Sequence, residues 1–289
     1  MLLTAIFQAV VSGLMTGALI ALPAIGFTTI FAVLRYPSFA IAGYMTIGAF
    51  AAYFFRGHFG LAVAVVLVLA ALVSGLVGVV AEQGVIGPLR PAGALTAAIG
   101  SIALNLVLEN AVRFTFGNDL QAFELPIYPD FRVAGLRIGG QQLQNLGLAL
   151  LVTAAMFCFL RYTRFGRGMR AVADNPDLAR LKGIDPKRIS AVTVFLAAAL
   201  AGVGGVLLGL DTSIDPLMGA RVLLTVFAAA VLGGLGSIPG AVVGALVLAV
   251  AQEVALLFIP ATYRGGVAFF AILLMLSFRP RGLLGERAV

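Results

Sequence analysis

Charged side chains are scarce in this sequence. Asp, Glu, Lys and Arg together make up 11% of it, whereas a water-soluble domain carries about 25%. Hydrophobic residues account for 61%, and the mean hydropathy is +1.09. The apolar runs are long and continuous, and they lack the alternation typical of an outer-membrane β-barrel. The composition therefore predicts an all-α integral membrane protein folded as a polytopic helical bundle.

Residues and motifs typical of catalytic, metal-binding or nucleotide-binding sites are also scarce. The single cysteine, Cys158, excludes a disulfide within the chain and gives no information on compartment. The single histidine, His58, lies in a predicted external turn, and there is no HExxH motif, which argues against an intramembrane enzyme. No GxxxxGK[ST] motif occurs, so this chain does not itself cradle nucleotide phosphates. A self-contained secondary transporter is disfavoured, because neither mid-membrane charge relays nor inverted halves are evident.

Nine apolar segments approach the length needed to cross a bilayer, about 20 residues. They are 5–34, 38–55, 61–81, 94–116, 144–160, 189–210, 221–236, 240–258 and 265–279. The first segment contains Pro23 and is either one kinked span or two short ones, so we expect about 8–10 spans in the bilayer. Residues 1–289 then form one transmembrane domain, interrupted mainly by the polar stretches 117–143 and 161–188.

The stretch 161–188 carries eight of the 19 basic residues. Because loops rich in Lys and Arg stay in the cytoplasm, we expect this stretch and the C-terminus to be cytoplasmic. The same orientation signal explains the formal charge of +7, so no nucleic-acid partner is expected. The loop 117–143 is then external, either as a solvated linker or as a docking surface for an extracytoplasmic partner. The side of the N-terminus depends on whether 5–34 contains one span or two.

The basic stretch also contains signals for a short helix. Asn175 is a favoured N-cap, and Gly183 is placed as a C-terminal stop. Between and after them, Leu178, Leu181 and Ile184 recur at helical spacing and are expected to share one face. A short capped helix of this kind suits insertion into a groove on a partner protein. The alternative is that the charges serve only to orient the chain.

Several blocks of the sequence, taken in order, resemble a known family. They are "GALIALPAIGFTTIFAVLRYPSFAIAGYMTIGAF" at 17–50, "LENAVRFTFG" at 108–117, "RYTRFGRGMRAVADNPDLARLKGID" at 161–185, "AAAVLGGLGSIPGAVVGALVLAVAQE" at 228–253 and "FRPRGLLG" at 278–285. Together they resemble the permeases of the branched-chain amino-acid class of ABC transporters. The third block looks like the coupling loop of that family.

The resemblance implies an importer of several subunits in a bacterial-type inner membrane. Two permease chains, the second a non-identical homologue, form the pathway, and two cytoplasmic ATPase subunits dock on the coupling helices. An extracytoplasmic binding protein delivers the solute. This chain is then a transport subunit and not an enzyme, and it needs no cofactor, because ATP and Mg²⁺ belong to the ATPase subunits. The residues implied in ATPase contact, on a cytoplasmic coupling helix, are Asp174, Asn175, Leu178, Arg180, Leu181, Gly183 and Ile184.

The expected solute is small and polar, an amino acid or a related metabolite. Urea and short amides, or aromatic acids, are the alternatives. Many family members read Asn-Phe-Ala-His-Gly where this chain has Ser38 to Ala42, and this lower polarity puts a branched-chain amino acid in question. The candidates for the pathway, chosen by polarity or by position in a family block, are Ser38, Phe39, Tyr44, Asn105 and Asn110.

Two acidic residues near the outer ends of predicted spans need partners. Glu109 and Arg113 are one helical turn apart and are expected to pair. Glu253 lies in the eighth segment, and Arg264 or Arg221 is available to it.

Two further features lie near the predicted inner surface. Glu82 is expected only to end the third span there. The stretch 232–241, "LGGLGSIPGA", is either a tight turn built from glycine and proline or a broken helix whose backbone groups face the pathway.

Overall fold

The computed structural model of the chain describes residues 2–123, 129, 131–133, 136–279 and 281–285. Its α-helices are α1 (Leu2–Leu34), α2 (Ile41–Phe59), α3 (Val63–Ala81), α4 (Gly87–Leu89), α5 (Ala94–Phe116), α6 (Gly140–Tyr162), α7 (Arg164–Asp174), α8 (Pro176–Leu181), α9 (Pro186–Asp211), α10 (Met218–Gly233), α11 (Ile238–Ala255) and α12 (Arg264–Phe278). A π-helix covers Glu82–Ile86, and 3₁₀ turns cover Arg90–Ala92 and Ala261–Tyr263. The polytopic helical architecture predicted from the composition is confirmed.

The nine predicted apolar segments correspond to nine long helices, which are α1, α2, α3, α5, α6, α9, α10, α11 and α12. Seven helices of the described chain are long and apolar enough to cross a membrane, and α10, with 16 residues, is a shorter apolar helix. The remaining long helix, α2, has Arg56 and His58 in its last turn. Glycine then terminates it, because Gly60 adopts the left-handed conformation that other residues avoid.

The first predicted segment is one helix and not two. α1 runs without a break through Pro23, and a Cβ on Gly204 of α9 would lie 2.7 Å from the proline ring, so glycine makes room for it there. The N-terminal end of α1 lies against the loop between α5 and α6, because the Gln8 amide exchanges two hydrogen bonds with the backbone of Arg137. The N-terminus is therefore on the same side as this loop.

Close contact between helix backbones defines the centre of the bundle. α1 packs along α9 and α11, α2 packs along α9 and α3, and α10 packs along α11. A Cβ on Gly48 of α2 would lie 2.3 Å from the Cα of Gly202 in α9, and one on Gly244 of α11 would lie 2.1 Å from the Ala229 carbonyl oxygen in α10. Small residues at helix crossings permit such approach, which supplies packing where lipid gives little hydrophobic drive.

The α5, α6 and α12 helices lie at the periphery. Of the 18 most apolar consecutive residues of α1, 83% are buried. The corresponding share is 22% in α6 and 17% in the span that contains α12. Leu106 and Phe114 on α5 and Leu151 on α6 are among the exposed apolar side chains. These surfaces suit contact with acyl chains.

A small β-hairpin departs from the purely helical expectation. β1 (Phe131–Val133) and β2 (Leu136–Ile138) pair antiparallel in the loop 117–143. The same loop is joined to the α9–α10 connection by an isolated bridge between Gln121 and Ile214. The interpretations of this loop as a linker or as a docking surface both remain predictions, since residues 124–128, 130, 134 and 135 lie outside the described chain.

The stretch 232–241 forms a tight turn. α10 ends at Gly233, Gly234 has φ of 106°, and α11 begins at Ile238. The C-terminal segment packs onto this turn, because the N–H groups of Leu283 and Leu284 donate to the carbonyls of Leu232 and Gly233 at 2.8 and 3.0 Å. The backbone groups freed at this turn are thus partly satisfied by the end of the chain.

Candidate functional site

The short helix predicted in the basic stretch is present as α8. The Asn175 Oδ1 atom accepts hydrogen bonds from the N–H groups of Asp177 and Leu178 at 3.0 and 2.9 Å, and Pro176 occupies the first turn. These bonds satisfy two backbone donors that a helix start otherwise leaves unpaired. The predicted N-cap is therefore confirmed.

The predicted stop at Gly183 is confirmed as well. Gly183 has φ of 80°, and its N–H donates to the Arg180 carbonyl, while the Ile184 N–H donates to the Ala179 carbonyl, both at 3.0 Å. This pair of bonds is a Schellman motif, which closes the helix and reverses the chain. Ile184 consequently lies beyond the helix and packs partly buried against the core. The expectation that it shares a face with the two leucines is wrong, because the glycine turn redirects it.

The α7 helix preceding α8 was not predicted. Thr163 caps it by accepting a hydrogen bond from the Gly166 N–H at 3.1 Å. Met169 and Val172 are buried on one side, and arginines at three-residue spacing occupy the other. The Thr cap and this amphipathic spacing were signals available in the sequence.

Two contacts tie α7 to the membrane bundle. The Arg35 guanidinium, at the end of α1, donates to the Ala173 carbonyl in the last turn of α7. Arg35 itself has φ of 61°, an uncommon conformation for a residue other than glycine. On the other side, a Cβ on Gly168 would lie 2.7 Å from Ile189 Cδ1 of α9. The α7 helix is therefore held against both α1 and α9.

The coupling residues implied by the resemblance occupy the tip of this structure. Leu178 and Leu181 are 54% and 84% exposed. Arg180 lies 3.8 Å from Asp177 in an ion pair open to solvent. Most of the set is exposed, and this part consists of Asp174, Asn175, Leu178, Arg180, Leu181 and Gly183. Two large apolar side chains are thus exposed on a helix that is capped at both ends.

The five candidate pathway residues separate into two groups. Ser38, Tyr44 and Asn105 are buried within the bundle, and Phe39 is half-buried. Asn110 lies on the exposed side of α5, and its amide donates to the Leu106 carbonyl of its own helix at 2.7 Å. Four of the five candidates therefore lie inside the bundle, and Asn110 lies on its surface.

Around Phe39 the linker before α2 meets α5. The Phe39 N–H donates to Ser101 Oγ at 2.9 Å. Asn105 lies one turn further along α5, and its Oδ1 atom would be 3.1 Å from a Cβ added to Gly43 of α2. The Asn105 side chain forms no hydrogen bond with any group in the described part of the chain. Its amide is therefore available to a polar ligand.

An aromatic cluster lies beside this region and was not predicted. The rings of Phe27, Phe39 and Phe227 have centroids 5.7 to 6.2 Å apart. They come from α1, the α1–α2 linker and α10, so no local pattern could have joined them. Phe39 belongs both to this cluster and to the linker that bonds to Ser101 of α5.

Glu82 does more than end the third span. It is buried, its Oε2 accepts a hydrogen bond from the Tyr36 hydroxyl at 2.7 Å, and its Oε1 lies 3.1 Å from Arg90. Burial, together with the Glu82 carboxylate, raises the pKa of the Tyr36 phenol, which therefore stays protonated and donates. The expectation for Glu82 is wrong because the backbone continues as a π-helix and turns the side chain inward.

The ion pairs that the sequence predicts for Glu109 and Glu253 are both confirmed. Glu109 and Arg113 approach to 3.0 Å within α5. Glu253 pairs with Arg264, while Arg221 pairs with Asp215. Within the described chain no group of three or more His, Cys, Asp or Glu side chains is placed to hold a metal ion.

Comparison with known proteins extends over nearly the whole chain. The BraD permease protein of a high-affinity branched-chain amino acid transport system in Pseudomonas aeruginosa is 33% identical over 98% of this chain and 96% of its own length. The corresponding LivH protein of Escherichia coli is 32% identical over the same shares. The L-arabinose ABC transporter permease protein AraH of Azospirillum brasilense is 34% identical over 43% of this chain and 40% of its own length.

A family model described as a permease component of branched-chain amino acid transport systems matches residues 9–277. The match includes the linker before α2, the α7–α8 segment and the α10–α11 turn. The chain therefore belongs to the family of branched-chain amino acid transport system permease components.

Proposed function

We propose that this chain is the permease subunit of an ATP-driven importer. It forms a pathway with a second permease chain, a non-identical homologue, and receives a small polar solute from an extracytoplasmic binding protein. Two cytoplasmic ATPase subunits hydrolyse ATP, and this chain needs no cofactor of its own. The observation that carries the proposal is the pair of exposed leucines, Leu178 and Leu181, on a helix capped at both ends.

Exposed leucines on a rigid helix favour docking over a simple orientation signal. Burying a leucine side chain fully is worth about 1.5–3 kcal/mol. An orientation signal needs only the positive charges, whereas this segment also has an Asn cap, a Schellman stop and apolar side chains outside the core. A groove on the ATPase that receives Leu178 and Leu181 would use all of these features.

The contacts of α7 suggest how ATPase movement reaches the membrane. A displacement of α8 passes directly into α7, which is held to α1 by Arg35 and to α9 by Ile189. α1 and α9 are also packed along each other. Tilting these two helices together would open the region of Phe39 and Asn105 to alternate sides of the membrane.

An amino acid with an apolar side chain is the solute we favour. The Asn105 amide would supply a polar contact, and the half-buried rings of Phe39 and Phe227, which pack on the buried Phe27, would supply an apolar one. Urea and short amides lack the apolar part that would use this cluster. Stimulation of ATP hydrolysis by binding protein loaded with leucine, phenylalanine or urea distinguishes these solutes, and a response to urea alone contradicts the choice.

For the orientation, we propose a bacterial inner membrane with α7, α8 and the C-terminus in the cytoplasm. Cys158→Ser removes the native thiol, and Asp119→Cys and Asp177→Cys then place single thiols at the two ends of the bundle, both on exposed residues. In intact cells an impermeant maleimide should label position 119 and leave position 177 unlabelled. The reverse pattern contradicts the proposed orientation.

The docking proposal is tested with Leu181→Asp. Because Leu181 is largely exposed in the isolated chain, the permease should fold normally. Docking would place the new carboxylate in an apolar groove, which costs about several kcal/mol for an unpaired charge. Since about 1.4 kcal/mol is a tenfold change in affinity, the ATPase should be lost on co-purification.

Arg180→Ala is the matched control. Arg180 is exposed and paired only loosely with Asp177, and such surface pairs are worth roughly 0–1 kcal/mol. We expect the ATPase to remain bound and solute-stimulated ATP hydrolysis to change little. Full assembly and uptake in the Leu181→Asp variant would show that α8 is not the docking element.

A further inference from the structure

A cavity of about 500 Å³ opens at the end of the bundle that carries α7 and α8. It lies between the last turns of α6, the α7 helix and the first turn of α11. Its walls combine apolar side chains with two arginines, and the residues important here are Phe157, Cys158, Arg161, Arg170, Ile238 and Pro239. None of the candidate pathway or coupling residues lines it.

The cavity passes from the apolar part of α6 to its polar end. Phe157 and Cys158 lie one turn inside the helix, whereas Arg161 and Tyr162 are its last residues. Cys158 is exposed, and Tyr162 is 76% exposed. In a bilayer, tyrosine and arginine at a helix end lie at the headgroup level, and the residues one turn inward face acyl chains.

The polar end of the cavity is cationic, because Arg161 and Arg170 line it. The surrounding residues 161–170 contain four arginines in all and no acidic residue. Within the described chain, these arginines form no ion pair with an acidic side chain. Arg170 Nη1 donates to the Leu160 carbonyl at 2.6 Å, which fixes its guanidinium at the wall. The Arg161 guanidinium lies 6.0 Å from the centre of the Tyr162 ring.

We propose that this cavity binds an anionic phospholipid from the leaflet on the α7–α8 side of the membrane. Arg161 and Arg170 would hold the phosphodiester, and Phe157, Ile238 and Pro239 would contact the start of an acyl chain. Guanidinium groups suit a phosphate because they donate several hydrogen bonds in a fixed plane. Basic cavities between helices at this level of a membrane are the sites that anionic headgroups occupy.

The apolar walls distinguish a lipid from a free anion. Inorganic phosphate would gain only the arginine contacts, and it would leave the surface of Phe157 and Ile238 uncovered. A lipid fills both parts of the cavity. Because the bound molecule would touch α6, α7 and α11 together, it would also hold α7 against the bundle.

Lipid retention gives the first test. The purified permease is incubated with dioleoyl phosphatidylglycerol or dioleoyl phosphatidylcholine and examined by native mass spectrometry. In the Arg161→Gln/Arg170→Gln variant, the affinity for phosphatidylglycerol should fall on the order of tenfold, because the charge-assisted hydrogen bonds are lost. Arg164→Gln/Arg167→Gln removes the same charge from neighbouring residues that do not line the cavity, and it should retain the lipid.

Arg170 has a structural hydrogen bond, so Arg161→Gln alone provides a variant with an unaltered fold. Arg161 is exposed, and its side chain makes no hydrogen bond with the described chain. This variant should melt at the wild-type temperature in phosphatidylcholine and still lose phosphatidylglycerol severalfold. Equal lipid loss in the 164/167 control would show that the lipid responds only to overall charge, and it would overturn the proposal.

Cys158 gives a local readout, because it is the single cysteine of the chain and lies in the cavity wall. Its labelling by a maleimide should be slower in phosphatidylglycerol nanodiscs than in phosphatidylcholine nanodiscs, and the Arg161→Gln/Arg170→Gln variant should remove the difference. Inorganic phosphate should not slow labelling. Equal protection by phosphate would identify a free-anion site, and equally slow labelling in both lipids would mean that the cavity does not select an anionic headgroup. Either result contradicts the proposal.

Discussion

The α1 and α6 helices are both apolar and long enough to cross a membrane, yet they occupy opposite environments. Most of α1 is buried, whereas little of α6 is. The two helices differ in how closely other helices pack against their glycines. Cβ atoms on Gly13 and Gly17 of α1 would lie 2.6 and 2.9 Å from the Cα atoms of Val250 and Leu246 in α11, whereas one on Gly147 of α6 would have no atom of the described residues within 4 Å. Hydropathy identifies a span, and the spacing of small residues determines whether it becomes central.

The largest effect is expected from exchanging glycine for leucine at these positions. Gly13→Leu would force α1 and α11 apart, at a cost of about 3 kcal/mol or more. Gly147→Leu enters open space on α6 and removes a glycine from a helix interior, which is favourable by about 0.5–1 kcal/mol. Thermal unfolding in detergent should therefore move in opposite directions. Equal stability of the two variants would mean that the glycine contacts do not define the centre.

Two ion pairs extend the comparison to charged residues. Glu82 joins the α1–α2 linker through Tyr36, whereas Glu109 pairs with Arg113 inside the peripheral α5 helix. Glu82→Ala leaves the buried Tyr36 hydroxyl without an acceptor, which costs about 1–3 kcal/mol. Glu109 is also buried, but no buried hydroxyl of the described chain donates to it, and Arg113 is partly exposed and can be hydrated, so Glu109→Ala should cost less than Glu82→Ala. The melting temperature should therefore fall further in Glu82→Ala than in Glu109→Ala. A larger fall in Glu109→Ala would contradict this prediction.

The smallest effect concerns α8, which is neither central nor in contact with acyl chains. Asn175→Ala removes both cap hydrogen bonds and should destabilise the helix by about 1 kcal/mol. If α8 is the docking element, ATPase affinity should fall severalfold, as measured by titration of the labelled subunit. Asn175→Ser keeps an oxygen at the cap and should restore most of the affinity. No difference between the Ala and Ser variants would separate docking from helix capping.

Local signals allowed much of this fold to be predicted from the sequence. The nine long helices follow from unbroken apolar runs, and the caps at Asn175 and Gly183 act within a few residues of themselves. The α7 helix was overlooked because arginines and two glycines interrupt its apolar spacing, although Thr163 signals its start. Its stability comes from burial against α1 and α9, which the local sequence does not reveal.

The parts that could not be predicted depend on contacts between distant elements. Glu82 looked like a terminal charge because its partner Tyr36 lies on another helix connection. Asn105 and Asn110 are five residues apart on α5 and look equivalent in sequence, yet one is buried and the other is exposed. Only the direction in which α5 packs distinguishes them. The candidate pathway residues remain predictions until solute contact is measured.

The pairing of the C-terminal segment with the α10–α11 turn has a consequence for biogenesis. Leu283 and Leu284 emerge from the ribosome only after α11 and α12, so the carbonyls of Leu232 and Gly233 wait for their donors while the rest of the bundle inserts. The α10–α11 turn is thus completed by residues that are synthesised after both of its helices and after α12. Premature termination after α12 would therefore leave the carbonyls of Leu232 and Gly233 without these donors, at a turn far from the missing residues in sequence.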